Sequence, residues 1–192
     1  MNESEKDKNI LSLFSDIVSY DETKRLSSSQ KLLDILNEKQ QKADDDNLCE
    51  EVKYAFKRLV GGLASGRKMA RLGFATTLSA LLRVVPCNQY SSQNVFKLME
   101  EKLDSNGEDK DIMFGRIFCL LSVIQSERLS DEKENSMLRK ITEMLLKLGK
   151  KKSYLHKISL HGLSRLVVQV ELEASYISVL EISTLITRLS LG

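Results

Sequence analysis

Residues 50–85, EEVKYAFKRLVGGLASGRKMARLGFATTLSALLRVV, limit the possible folds more than any other stretch of this chain. Val52, Ala55, Phe56, Leu59, Val60 and Leu63 recur at the spacing of one helix face. After a break, Met69, Leu72, Ala75, Leu78, Ala80, Leu82 and Val85 do so again. Two amphipathic helices joined by a short turn cannot bury both apolar stripes by themselves. The spacing therefore predicts a helical hairpin that needs further helices around it. Gly61, Gly62, Ser65 and Gly66 lie between the two, and are expected to give the backbone freedom of a sharp reversal.

The rest of the chain repeats this design. Pro86 is its single proline, which suits long uninterrupted helices. Residues 1–8 read as a disordered polar end. Ile10, Leu11, Phe14, Ile17 and Val18 mark a first helix; Asp21 is placed to cap a second, with Leu26, Leu33 and Leu36 on its buried face. Ser91 or Ser92 is placed to cap a helix carrying Val95, Phe96, Met99 and Leu103. Residues 104–111 read as a loop. Residues 112–125 are apolar on nearly every side, which predicts a helix in the middle of the assembly. Residues 130–133, SDEK, read as a start signal for a helix that Gly149 and Lys150 to Lys152 close. Leu155 to Val170 form another, and residues 177–189 a last one.

Helix pairs restart near Asn9, Asn47, Ser92, Asp131 and Ala174, a spacing of about 40 to 45 residues that falls in the range of HEAT and armadillo units. The expected fold is all-α: a HEAT/armadillo-like α-solenoid of antiparallel helix pairs, in one domain over residues 1–192. A compact irregular helical bundle is the rival.

Lys and Arg number 29 against 27 Asp and Glu, a net charge of +2, so any case for nucleic-acid binding rests on local clustering. Cys49, Cys87 and Cys119 form no C-x-x-C pair and read as reduced thiols of an intracellular protein. The acidic, polar start is not a signal peptide, and no apolar run reaches the roughly 20 residues of a membrane span. Asp44, Asp45 and Asp46 read as a solvated cap ahead of a helix rather than a metal site. His156 and His161 fall about 140° apart on a helix and do not face one ion. GGLASGRK, residues 61–68, nearly matches a phosphate loop, but Arg67 and Met69 replace the lysine and hydroxyl it needs, and no strand precedes it. No catalytic residues, metal or cofactor are expected, and the chain is not expected to be an enzyme.

One feature invites a functional reading. Lys53, Lys57 and Arg58 lie on the first central helix; Arg67, Lys68 and Arg71 lie at the start of the second. Cations there oppose the helix dipole, at about 0.3–1 kcal/mol each. Either Arg67 and Arg71 pair with acids on adjacent helices, or Lys57, Arg58, Arg67, Lys68 and Arg71 face an anionic partner, RNA or an acidic protein. Interleaved exposed aromatics for base stacking are not expected here.

These residues also carry a resemblance. Tyr54-Ala55-x-Lys57-Arg58-Leu59, then Gly62-Leu63-Ala64-Ser65, then Arg67-x-x-Ala70-Arg71-x-Gly73-Phe74 is similar to the hallmark of the Myb-binding protein 1A-like family, also called DNA polymerase V or phi. Residues 114–129, FGRIFCLLSVIQSERL, resemble the family's Phe-Gly-Arg-x-Phe helix, and LFSDIVSYDETKRLSSSQKLL its start. The resemblance covers most of the chain, as an N-terminal part of far longer proteins. It implies a helical-repeat scaffold of the nucleus and nucleolus, acting in ribosome biogenesis and in transcription or processing of ribosomal RNA. The implied partners are transcription factors or pre-ribosomal factors, with rDNA or RNA as further candidates. It implies no polymerase fold. The alternative is a general helical-repeat adaptor without a nucleolar role.

Overall fold

The computed structural model describes residues 3–43, 47–104, 109–130 and 135–172, and every regular element among them is helical. The helices are α1 (Glu3–Asp16), α2 (Glu22–Lys42), α3 (Glu50–Gly62), α4 (Lys68–Val84), α5 (Ser92–Lys102), α6 (Lys110–Gln125), α7 (Asn135–Lys151) and α8 (Ser153–Leu172), with a short 3-10 turn at Arg128–Ser130. The helix starts follow local chemistry. Asp21 accepts from the Lys24 N–H, Ser91 from Asn94 and Asp109 from Asp111 and Ile112, each satisfying a free donor of a first turn.

Sequential helices pair, as α1 with α2, α3 with α4 and α7 with α8. Across the pairs a second order appears, with α2 against α4, α4 against α6 and α6 against α8. Polar side chains tie these helices together. Ser29 and Thr77 hydroxyls meet at 2.9 Å between α2 and α4. Thr77 already donates to the Gly73 carbonyl, so Ser29 is the donor. Between α4 and α6, Arg71 reaches Asp111, Ser122 reaches the Ala75 carbonyl and Arg83 reaches the Gln125 carbonyl. Gln169 of α8 donates to the Ile124 carbonyl of α6. These bonds join residues 40 to 48 apart in sequence, the length of one helical pair. From α4 to α6 the contacts advance in the same direction along both helices, so these two helices run the same way.

Three inward-turned arginines, Arg25 and Arg116 buried and Arg71 half-buried, recur with the pairs. Arg25 donates to the Ser19 and Tyr20 carbonyls, Arg71 to the Ser65 carbonyl and Arg116 to the Leu103 carbonyl. Arg25 and Arg71 sit near the starts of α2 and α4 and reach carbonyls of the turn just before; Arg116, midway along α6, reaches the C-cap carbonyl of α5. These carbonyls have no helical partner, so a guanidinium is held without a buried carboxylate. Their positions are 46 and then 45 residues apart.

The core runs through all the pairs. Phe56, Leu59, Leu63, Leu78 and Leu82 of the central hairpin are almost completely buried, and so are Ile117, Leu120, Val123 and Ile124 of α6. Phe56 stacks on Tyr90 with ring centres 4.1 Å apart. Burial of one such side chain contributes about 1.5–3 kcal/mol.

Several expectations need correction. Leu26 is 52% exposed. The buried stripe of α2 is centred on Arg25, Ser29, Leu32 and Leu36, and Leu26 stands about 100° from Arg25 around the helix. Leu11 and Leu72 are also exposed. The reversal between α3 and α4 uses no left-handed glycine; no described glycine has a positive φ. Gly62 is small for another reason, since a Cβ there would stand 2.5 Å from the Phe74 ring. Gly149 lies inside α7, where a Cβ would meet that of Ser159 at 2.9 Å, and does not close the helix. Helix α1 begins at Glu3, within the end expected to be disordered. Asp44 to Asp46, Asp131 to Lys133 of the SDEK signal and the last segment, 177–189, lie outside the described residues.

Candidate partner-binding surface

The central hairpin divides its cations into two sets. Arg71 belongs to the inner one. Its side chain is 12% exposed, lies 2.9 Å from the Asp111 carboxylate, caps the Ser65 carbonyl and stacks 4.9 Å from the centre of the Phe114 ring. Of the five cations expected to face a partner, Arg71 is therefore the one engaged inside the fold. The outer set is Lys57, Arg58, Arg67 and Lys68, all exposed. Arg58, Arg67 and Lys68 form no side-chain hydrogen bond or ion pair among the described residues. Arg67 thus lacks the acidic neighbour that one reading expected for it. Lys57 lies in the field of two carboxyls held below their usual range. Glu50 is held there first by its hydrogen bond to Lys53 and Glu101 by its bond to Lys102, with Lys57 adding to both.

Helix geometry sets where the outer cations point. Tyr54, Lys57, Arg58 and Gly61 span an arc of about 100° on α3, opposite the buried Val52, Ala55, Phe56, Leu59 and Leu63. Tyr54 is 42% exposed and meets Phe14 of α1 edge-on, with centroids 6.1 Å apart. Arg67 and Lys68 follow at the start of α4. Arg67 is the N-cap there and supplies no side-chain cap, and no acid lies in the first turn of α4. Along the chain, the exposed stripe of α3 is followed, after the buried Leu63 and the turn, by the exposed Arg67 and Lys68.

The hallmark residues sort the same way. Ala55, Leu59, Leu63 and Ala70 are buried, Gly62 admits Phe74, and Arg71 ties two pairs together. A Cβ on Gly73 would stand 1.9 Å from the Ile17 carbonyl oxygen. In the second motif, Phe114 takes the Arg71 guanidinium, Gly115 lies against the Leu63 and Ala64 backbone and Arg116 holds the Leu103 carbonyl. Lys57, Arg58 and Arg67 have no such internal task. Gly61 has none either: nothing lies within 4 Å of where its Cβ would stand. A glycine inside a helix costs about 0.5–1 kcal/mol relative to alanine, and here no contact of the chain itself offsets that.

Other candidates carry less. His156 and His161 are both exposed on α8. Among the described residues no three or more His, Cys, Asp or Glu side chains converge as they do around a metal ion. Residues 61–68 form a helix end and a turn, unlike the strand-to-helix setting of a phosphate loop. Cys119 is buried, and burial pushes its thiol up to about 12. A groove of about 600 Å3 runs between α2, the end of α4 and the turn after it, with Leu33, Leu36, Leu81, Val85 and Gln89 among its walls. No described helix is long and apolar enough to cross a membrane.

Signals for the inner arginines were present but weak. Arg25-Leu26, Arg71-Leu72 and Arg116-Ile117 repeat one dipeptide pattern, but a charged residue does not register in an apolar periodicity.

Over the described residues this is a helical protein whose sequential helices pair, with Lys57, Arg58, Arg67 and Lys68 exposed. Residues 54–190 match the family described as DNA polymerase phi, and the chain belongs to that family. It is 32% identical over 170 residues to the rDNA transcriptional regulator pol5 of Schizosaccharomyces pombe, covering 85% of this chain and 16% of that protein. It is 31% identical over 137 residues to Myb-binding protein 1A of Rattus norvegicus, covering 69% of this chain and 10% of the relative. The human Myb-binding protein 1A is 29% identical over 154 residues, 78% of this chain and 11% of its own length. The chain therefore spans a small part of the length of these relatives. No solved structure matches it.

Proposed function

We propose that this chain is part of a non-enzymatic helical-repeat scaffold of the nucleolus that acts in ribosome biogenesis, in transcription of ribosomal DNA and processing of its RNA. One observation carries the reading: 85% of the chain aligns with a protein named as an rDNA transcriptional regulator. Relatives named for binding Myb support a role in holding protein partners, transcription regulators among them. Pre-ribosomal factors, rDNA and RNA are further partners of the same chemistry.

The architecture we infer is a HEAT/armadillo-like solenoid. Hydrogen bonds recurring at 40 to 48 residues and arginines recurring at 46 and 45 support it, because a stack of similar pairs joins equivalent positions one repeat apart. In such an array Lys57, Arg58, Arg67 and Lys68 form an electropositive surface for an anionic partner, while Arg71 holds the array together. The groove between α2 and α4 favours a second reading, a general adaptor that takes a neutral segment of a client protein.

Imaging of the tagged full-length protein, with pulse-labelling of new ribosomal RNA after its depletion, tests the first reading. Nucleolar signal and a fall in labelled precursor are expected. Diffuse cytosolic signal with unchanged precursor overturns it in favour of the adaptor.

A further inference from the structure

We propose that the solvent face of α3 docks an acidic helix of a partner protein, with Gly61 as the point where the two backbones come closest. This rests on the reading of the outer cations as a surface for an anionic partner, and it names the partner's class and the place of contact.

The first observation is the isolation of Gly61. Gly62, Gly66, Gly73, Gly115, Gly149 and Gly162 each have atoms of the chain within 4 Å of where a Cβ would stand. Among the described glycines only Gly61 has none. It adopts no positive φ, so neither backbone conformation nor internal packing calls for the missing side chain. Small residues on a helix surface let a second helix approach closely, and an exposed one with no neighbour offers that approach to another molecule.

The second observation is what surrounds it. Tyr54, Lys57 and Arg58 share its arc, and Arg67 and Lys68 lie just past the turn. A half-exposed ring beside two cations matches an amphipathic helix with an apolar residue over Tyr54 and carboxylates toward Lys57 and Arg58. An acidic helix fits better than a phosphate backbone. Gly61 lies in the last turn of α3, where the carbonyls carry negative partial charge and repel any anion placed directly over it. A partner helix crossing at Gly61 keeps its carboxylates to the side, within reach of Arg58. The cations are also few, and Lys57 shares its field with Glu50 and Glu101.

The test uses the whole chain and three fluorescent probes at low salt: an amphipathic helical peptide of about 18 residues with glutamates four apart, its glutamine counterpart, and a single-stranded RNA of about 20 nucleotides. The glutamate peptide is expected to bind at least about tenfold more tightly than the other two. Gly61→Leu is expected to weaken it about tenfold, and Gly61→Ala less, with folding intact because the site is open. Triple reversal, Arg58→Glu with Arg67→Glu and Lys68→Glu, is expected to abolish binding. Abolition by the triple reversal with no effect of Gly61→Leu overturns the docking geometry and leaves the cationic surface standing. Indifference to both overturns both. RNA binding that depends on Gly61, with no preference for the glutamate peptide, overturns the assignment to a protein helix.

Discussion

Arg71 and Asp111, forty residues apart in sequence, meet at 2.9 Å and join the central hairpin to α6. Asp111 is 42% exposed, so the ion pair alone contributes no more than about 1 kcal/mol. Arg71 also caps the Ser65 carbonyl and stacks on Phe114. Arg71→Ala is therefore expected to cost about 1–3 kcal/mol, and Asp111→Ala less, read as shifts in the urea midpoint. Equal costs would show that the carbonyl and ring contacts add nothing.

Two glycines are expected to respond with opposite sign. At Gly73 an added methyl would stand 1.9 Å from the Ile17 carbonyl oxygen, so α4 must move away from the turn between α1 and α2. Gly73→Ala is expected to destabilise by about 1–3 kcal/mol. Gly61→Ala is expected to stabilise by about 0.5–1 kcal/mol, since alanine favours the helix and meets nothing. Thermal midpoints of the two variants measure both effects.

The expected acid sensitivity has an identifiable source. Hydrogen bonding to Lys39 holds the Glu51 carboxyl below its ordinary 4.5. A depressed carboxylate contributes stability that is present above its unfolded pKa and is lost as pH falls through its folded value. Stability should thus decline as pH drops below about 4.5, and Glu51→Gln should flatten that slope while lowering stability at neutral pH. The check is a series of urea titrations from pH 7 to acid; identical slopes would remove Glu51 from the explanation.

Thiol chemistry should separate the three cysteines. Cys119 is buried with its thiol pushed up to about 12, whereas Cys49 and Cys87 are partly exposed. A thiolate is the reacting form, so Cys119 is expected to be labelled only as fast as the protein unfolds. Mass spectrometry of labelled peptides over time reads this directly. A Cys119 rate matching that of Cys87 in the native protein would contradict its burial.

Much of the fold is legible in the residues themselves. The central hairpin announces itself by apolar spacing, and Asp21 and Ser91 cap helices as their positions suggest. Periodicity fails where a polar residue is buried. Arg25, Ser28 and Ser29 lie on the inner face of α2, so the stripe drawn through Leu26 is rotated from the true one. Arg25 and Arg116 are inside because open carbonyls in the turn or cap after the preceding helix accept hydrogen bonds from their guanidinium groups, a condition that exists only after the helices pair. The glycines mislead in a related way. Gly62, Gly73 and Gly149 stand where two helices crowd each other, and a sequence does not show which helices will meet. The outer cations were legible as a cluster, but separating Arg71 from Arg58, Arg67 and Lys68 required the position of Asp111.

That division of the cations is tested most directly by chromatin occupancy. The full-length protein carrying Arg58→Glu, Arg67→Glu and Lys68→Glu is compared with the unaltered protein at equal abundance and equal helicity, on ribosomal DNA. Occupancy is expected to fall at least about tenfold, the change that about 1.4 kcal/mol or more of lost partner affinity represents. Undiminished occupancy would contradict the assignment of this surface to a partner.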